Sequence, residues 1–362
     1  MNLNFAQRIC TIFYFLFLGI IITWTSCRME YNSGAAQQTS FYSGEKQKGA
    51  HIFGSIDSTN LSNFKELGVE WVTTVPWGFM RDETCTEVRH YRSDSTQILE
   101  ANKRSLERFK RIRNQGFKLF VKPHIWLHEA SEGKWRQDIQ PKTTEDWKEW
   151  ETTYADFILR YAKIAELAEA EMFCIGTELS AIARQKPNLF RDLIKQVKEV
   201  YSGKLTYAAN WYDEYEHIEF WDELDFIGVQ AYFPLSETLS PSTEELKAGW
   251  IDHLEALKTV HQKFKKSVIF TETGYKSAKD AAIEPWSWAE NQRLDSSYFS
   301  PETQVNCYQA FFDTVWVQPW FKGLHLWQMR TDHHQRDSAY YSLDFTPQGK
   351  PALDVIKHGF RD

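Results

Sequence analysis

Short apolar runs alternate with amphipathic stretches along most of the chain. Residues 50–56 and 69–75 are compact hydrophobic segments that predict strands. Residues 60–67 between them have helical spacing and end at Gly68. Residues 95–114 put Ile98, Leu99, Leu106, Phe109 and Ile112 at helical spacing, and Gly116 stops them. The alternation continues with strands at 117–121, 172–176, 205–209, 226–230, 267–271 and 323–327. Helices are predicted at 144–170, 188–201, 243–264, 301–320 and 352–360, the one at 301 opening on proline. The strands are continuous apolar runs, as expected where both faces are covered. Eight strand–helix units in about three hundred residues predict an α/β fold of the (β/α)8 TIM-barrel type, one domain over residues 49–362. An open doubly wound sheet would want a Gly-rich phosphate loop after its first strand, and Gly54-Ser-Ile-Asp does not supply one.

Residues 1–27 break the pattern. Arg8 is their only charge, residues 9–24 are almost wholly apolar, and Ser26 precedes Cys27. This reads as an export signal with a loose lipoprotein box, in which Trp24 stands where Leu is usual. The expectation is an exported protein whose lipidated Cys27 tethers it to a membrane, at the cell surface or in the periplasm. A plain secretory signal or a retained anchor is the alternative. Residues 28–48 are polar and aperiodic, and read as a flexible linker.

Composition narrows the function classes. The net charge is −7 with no basic run, which argues against a nucleic-acid partner. Five Cys with no Cys-x-x-Cys pair argue against a disulfide framework or a zinc knuckle. His124 and His128 have a metal-ligand spacing, but Pro123 disfavours helix before them and no metalloprotease motif follows. Neither a metal nor a cofactor is expected. Aromatic residues make up 15% of the chain and fifteen are Trp, enough to line a cleft as well as a core.

Barrel active sites lie where strands end. The residues at those ends are Trp77, His124, Trp126, Glu178, Asn210, Trp211, Gln230, Tyr232, Glu272, Tyr275, Trp327 and Gln328. Amides and carboxylates bind hydroxyls, and rings stack on the apolar face of a pyranose, so the set suits a polysaccharide or oligosaccharide. Glu178 and Glu272 end strands four and seven, roughly opposite across the mouth. Either alone would read as a structural ion pair. Together they suit a retaining glycosidase, with one carboxylate the nucleophile and the other the acid and then the base. Trp286 and Trp288, in a long loop, are candidates for outer sugar subsites; His333-His334 either lines the cleft or is simply solvated, and the second reading is favoured.

Four stretches, Ile-Gly-Thr-Glu178-Leu-Ser, Asp225-Phe-Ile-Gly-Val-Gln-Ala-Tyr232-Phe-Pro, Phe270-Thr-Glu272-Thr-Gly-Tyr275 and Gly323-Leu-His-Leu-Trp327, together resemble glycoside hydrolase family 113. This is a clan A family of β-mannanases on a (β/α)8 barrel. The resemblance implies a retaining endo-β-glycosidase acting on β-1,4-mannan-type chains, with Glu178 as acid/base and Glu272 as nucleophile. It also implies Tyr232 beside the nucleophile and Trp327 as the floor under the attacked sugar. Most of clan A has Asn directly before the acid/base; Thr177 stands there, which makes Asn210 the candidate contact to the 2-hydroxyl. Two other functions fit the same residues: a β-glucanase or other hemicellulase, and a non-catalytic polysaccharide-binding lipoprotein.

Overall fold

The computed structural model describes residues 45–56, 61–90, 95–288, 296–332 and 343–361. The leader with Cys27, residues 28–44 of the linker, and His333 and His334 lie outside the described residues.

The strands are β1 (Gln47–Phe53), β2 (Trp71–Thr74), β3 (Trp77–Met80), β4 (Lys118–Val121), β5 (His124–Leu127), β6 (Met172–Thr177), β7 (Lys204–Asn210), β8 (Phe226–Gln230), β9 (Ser267–Thr273) and β10 (Phe321–Arg330). Eight of them close a parallel barrel in the order β1-β10-β9-β8-β7-β6-β4-β2. The (β/α)8 barrel is therefore the observed fold. Its strands are buried nearly end to end, all six residues of β6 among them, which is why they read as unbroken apolar runs.

The first strand begins at Gln47, not at residue 50, so the expected linker end at 48 falls inside it. Gln47 is buried because the barrel floor needs its amide. Its Oε1 accepts from His325 Nε2 at 2.8 Å, and Thr73 Oγ1 lies 2.7 Å from His325 Nδ1. Burial pushes that imidazole well below its ordinary pKa, so the neutral ring donates from one nitrogen and accepts at the other. A Cβ on Gly49 would stand 2.2 Å from His325 Nδ1, so only glycine leaves the ring its place.

The helices are α1 (Ser62–Glu66), α2 (Ser95–Asn114), α3 (Thr144–Leu167), α4 (Ser180–Gln185), α5 (Pro187–Val200), α6 (Thr243–Phe264), α7 (Pro301–Phe311) and a closing helix Ala352–Gly359. Local chemistry sets the starts of the long ones. Thr143 with Asp146, and Ser242 with Glu245, form reciprocal capping boxes before α3 and α6. Ser300 caps α7 ahead of Pro301. The helix expected over 301–320 stops at Phe311 and widens into a π-helix, Phe312–Trp316, whose rings pack on Phe360.

One element goes beyond the predicted strands. After β2 and β4 the chain meets Pro76 and Pro123, each lacking an N–H for the ladder. Both segments then resume as β3 and β5, paired in parallel with Trp77 opposite His124 and Phe79 opposite Trp126. This small second sheet stands as a wall beside the barrel mouth.

Candidate active site

The two strand-end glutamates meet across the mouth. Gln230, the last residue of β8, bridges them: its Nε2 lies 3.4 Å from Glu178 Oε1 and 3.0 Å from Glu272 Oε2. Those oxygens are therefore no further apart than the sum of the two distances. That is just under the ~6.5 Å at which inverting pairs begin.

Glu178 follows β6 with φ +53°, in the left-handed region that non-glycine residues seldom occupy. Such strain persists where the surroundings over-determine it. Its own N–H donates to Ala208 O at 2.8 Å, and the next N–H, of Leu179, donates to Tyr207 Oη at 2.8 Å. Gly176 is required just upstream. A Cβ there would meet Tyr154 Oη and Tyr207 Cε2 at 2.8 Å each. The Gly in Ile-Gly-Thr-Glu thus lets two tyrosines press against the strand that carries the carboxylate.

Glu272 lies within β9, which runs on to Thr273, two residues past the predicted end. It is 6% exposed, and both carboxylate oxygens are bonded. Tyr232 Oη donates to Oε1 at 2.6 Å. Lys122 Nζ donates to Oε2 at 2.6 Å, and also reaches Gln230 Oε1 at 2.9 Å and Thr271 O at 3.2 Å. A buried carboxylate needs such a cation, because desolvation otherwise disfavours its charge. Burial lowers the Lys122 pKa, and the charge of Glu272 opposes that. Burial and the carboxylate of Glu272 hold the Tyr232 phenol well above its usual range, so it remains a donor.

Two histidines stay neutral beside these charges. His51 Nδ1 donates to Leu326 O at 3.2 Å, and its Nε2 lies 3.8 Å from Glu272 Oε2. Burial, then Lys122, keeps its pKa well below the ordinary value. His124 is depressed by burial, Lys122 and Arg136. Arg136 Nη1 lies 3.0 Å from His124 Nδ1 and 3.5 Å from Glu178 Oε2. A guanidinium has no acceptor, so His124 Nδ1 carries the lone pair and Nε2 the hydrogen.

Trp327 meets His51 and Phe53 edge-on at 5.1 Å each, and packs with Tyr232 and Phe345. The Trp327–Gln328 peptide is cis. Trp211 stacks on Trp286 at 5.3 Å with the rings 20° apart, and Trp288 meets Trp327 at 6.0 Å. Trp77 lies in the wall, against His124 at 5.2 Å and Trp126 at 5.8 Å. Asn210 ends β7, and its Nδ2 donates to Gln137 Oε1 at 3.3 Å and Ser180 Oγ at 3.2 Å. Tyr275 is placed differently: it is 1% exposed and lies in the hydrophobic core against Tyr308. No hydrogen bond joins it to either glutamate among the described residues.

The sequence reading passed over Lys122, His51 and Arg136. Lys122 carried a signal, a charge directly after an apolar run. Arg136 had none, lying in a polar loop that forms a single 3-10 turn, Arg136–Asp138. His128 stacks on Phe79 at 5.3 Å, and no cluster of His, Cys, Asp and Glu among the described residues is arranged to hold a metal ion.

Opposed carboxylates at the mouth of a (β/α)8 barrel are the arrangement that glycoside hydrolases of that fold use. The family model for Glycoside Hydrolase Family 113 matches residues 45–350. The chain belongs to this family and is a glycoside hydrolase. Among solved structures it is similar to the GH113 β-mannanase AaManA from Alicyclobacillus acidocaldarius, in complex with ManMIm. The TM-score is 0.72 at 24% identity, over 88% of this chain and 97% of that one. A second GH113 β-1,4-mannanase complex gives 0.68 at 24%, over 88% and 99%. A β-glucuronidase from an uncultured Clostridium sp. gives 0.55 at 15%, over 88% of this chain and 50% of that one. At these identities the likeness is one of fold. No curated protein matches the sequence.

Proposed function

We propose that this protein is a retaining endo-β-glycosidase acting on β-1,4-mannan-type chains by double displacement through Glu272 and Glu178. The observation that carries the reading is the amide of Gln230, within 3.4 Å of one carboxylate and 3.0 Å of the other. Glu272, ion-paired to Lys122 and accepting from Tyr232, is the carboxylate kept charged and oriented. Its oxygen attacks the anomeric carbon as the glycosidic C–O bond breaks. Glu178 gives its proton to the leaving oxygen, then takes one from the water that cleaves the glycosyl ester and releases Glu272.

Trp327 would lie beneath the attacked sugar. The two hydrogens of the Asn210 amide are engaged by Gln137 and Ser180, which leaves its carbonyl oxygen to accept from the 2-hydroxyl. Mannan as substrate is supported by family membership and by the β-mannanases that share the fold.

The test is product analysis on glucomannan with the 28–362 fragment and its Glu272→Ala variant. Mannose-terminated oligomers from the first and none from the second are expected. Products from the variant at the parent rate would refute the assignment, and cleavage of β-glucan in preference to mannan would move the specificity. For the leader we infer export and lipid attachment at Cys27. Metabolic labelling with a fatty acid should mark the full chain and not Cys27→Ala.

A further inference from the structure

A third carboxyl, Glu214, is linked to the segment that follows Glu178 and has no part in the two displacement steps. It is 0% exposed, in the turn that follows β7. Three donors converge on it, two from β7 and one from the start of α4. Tyr207 Oη, within β7, donates to Oε1 at 2.5 Å. Ser180 Oγ donates to Oε2 at 2.7 Å, and the backbone N–H of Asn210 donates to the same oxygen at 2.7 Å.

Two of these lead straight back to Glu178. Tyr207 has one hydroxyl hydrogen, and Glu214 takes it. The same oxygen then accepts the N–H of Leu179, the residue after Glu178, at 2.8 Å. Ser180 is the residue after that. The peptide N–H after the left-handed Glu178 and the side chain of Ser180 are thus tied to one buried carboxylate, the first through a phenol and the second directly. The third donor ties in Asn210, whose amide bonds Ser180 in turn at 3.2 Å. Burial pushes the Glu214 carboxyl up to about 7 in spite of these donors, and the charge of Glu178 adds to the rise. A buried group of this kind can fix a geometry that apolar packing would not.

We propose that Glu214 is a positioning residue for the acid/base: through Tyr207 and Ser180 it holds the strained Glu178 backbone so that the carboxyl points at the leaving-group oxygen. The proposal rests on reading Glu178 as the acid/base. Its mark is dependence on the leaving group. A glycan alcohol needs the proton, whereas a dinitrophenolate departs without it.

The experiment compares kcat/KM of Glu214→Gln on two substrates: the β-linked oligosaccharide that the parent cleaves fastest, and the dinitrophenyl glycoside of the same sugar. Misaimed general acids lose on the order of 10²-fold. The oligosaccharide rate should fall by about that factor, and the aryl glycoside rate by less than about 3-fold. Glu178→Ala is the control and should show a larger split of the same kind. If Glu178→Ala shows no split, both the acid/base reading and the proposal fall. If it splits while Glu214→Gln loses equally on both substrates, or on neither, the positioning role alone is overturned. Tyr207→Phe and Ser180→Ala cut single legs of the clamp and serve if Glu214→Gln does not fold. Each should split in the same direction, and equal losses would overturn the proposal.

Discussion

Lys122→Met tests whether the ion pair at Glu272 sets stability. The lysine is fully buried, and its ammonium donates at 2.6 Å to a carboxylate that is itself 8% exposed at the side chain. Methionine keeps the stem volume and removes the charge. Gln230 Oε1 still receives a bond from Thr271 Oγ1 at 3.1 Å, so the loss concentrates on Glu272. Breaking a buried pair by deleting one member costs about 3–5 kcal/mol, because a charge is left uncompensated. In a domain of this size that corresponds to roughly 10 °C in Tm. Scanning calorimetry on Lys122→Met, Glu272→Gln and the double variant provides the cycle. The double variant leaves no unpaired charge and should regain most of the stability lost by Lys122→Met. A double variant as unstable as the two single losses added together would refute the reasoning. So would a Tm for Lys122→Met within about 2 °C of the parent.

Three further outcomes are expected. Tyr232→Phe removes a bond to a charged acceptor, worth about 1.5–3 kcal/mol, and should lower kcat/KM by roughly 10- to 150-fold with the fold intact by circular dichroism. Glu214 has a folded pKa of about 7 against an ordinary 4.5, so the folded state holds the proton more tightly. Its contribution to stability is then present below pH 4.5 and lost as pH rises to 7, by about 3 kcal/mol. Urea midpoints across that range should flatten in Glu214→Gln, and an unchanged slope would count against it. Trp286, 44% exposed on the Trp211 ring, should supply stacking of about 1 kcal/mol to a distant sugar. Trp286→Ala should raise KM about 5-fold for long oligosaccharides and leave kcat unchanged.

The barrel was legible because its physics is local. A strand covered on both faces is an apolar run, and a carboxylate ending such a run stands out, as Glu178 and Glu272 do. Lys122 ends a run in the same way, yet a lysine there reads equally well as a solvated strand end. Its burial comes from closure, which sets the end of β4 across from β9, and no local pattern encodes that distance. Arg136 and Glu214 lie in polar turns whose spacing carries no period at all. The β3–β5 sheet was missed because Pro76 and Pro123 interrupt the runs it continues. Tyr275 looked like a strand-end ligand, but it follows a strand two residues longer than its apolar core and turns out to pack against Tyr308.

The paired prolines also divide the labour of the molecule. Trp77, Phe79 and Trp126 stand on a sheet of their own, while the strands carrying Glu178 and Glu272 belong to the barrel. Replacing a ring in that wall reshapes what the mouth admits without altering the strand pairing that aims the carboxylates.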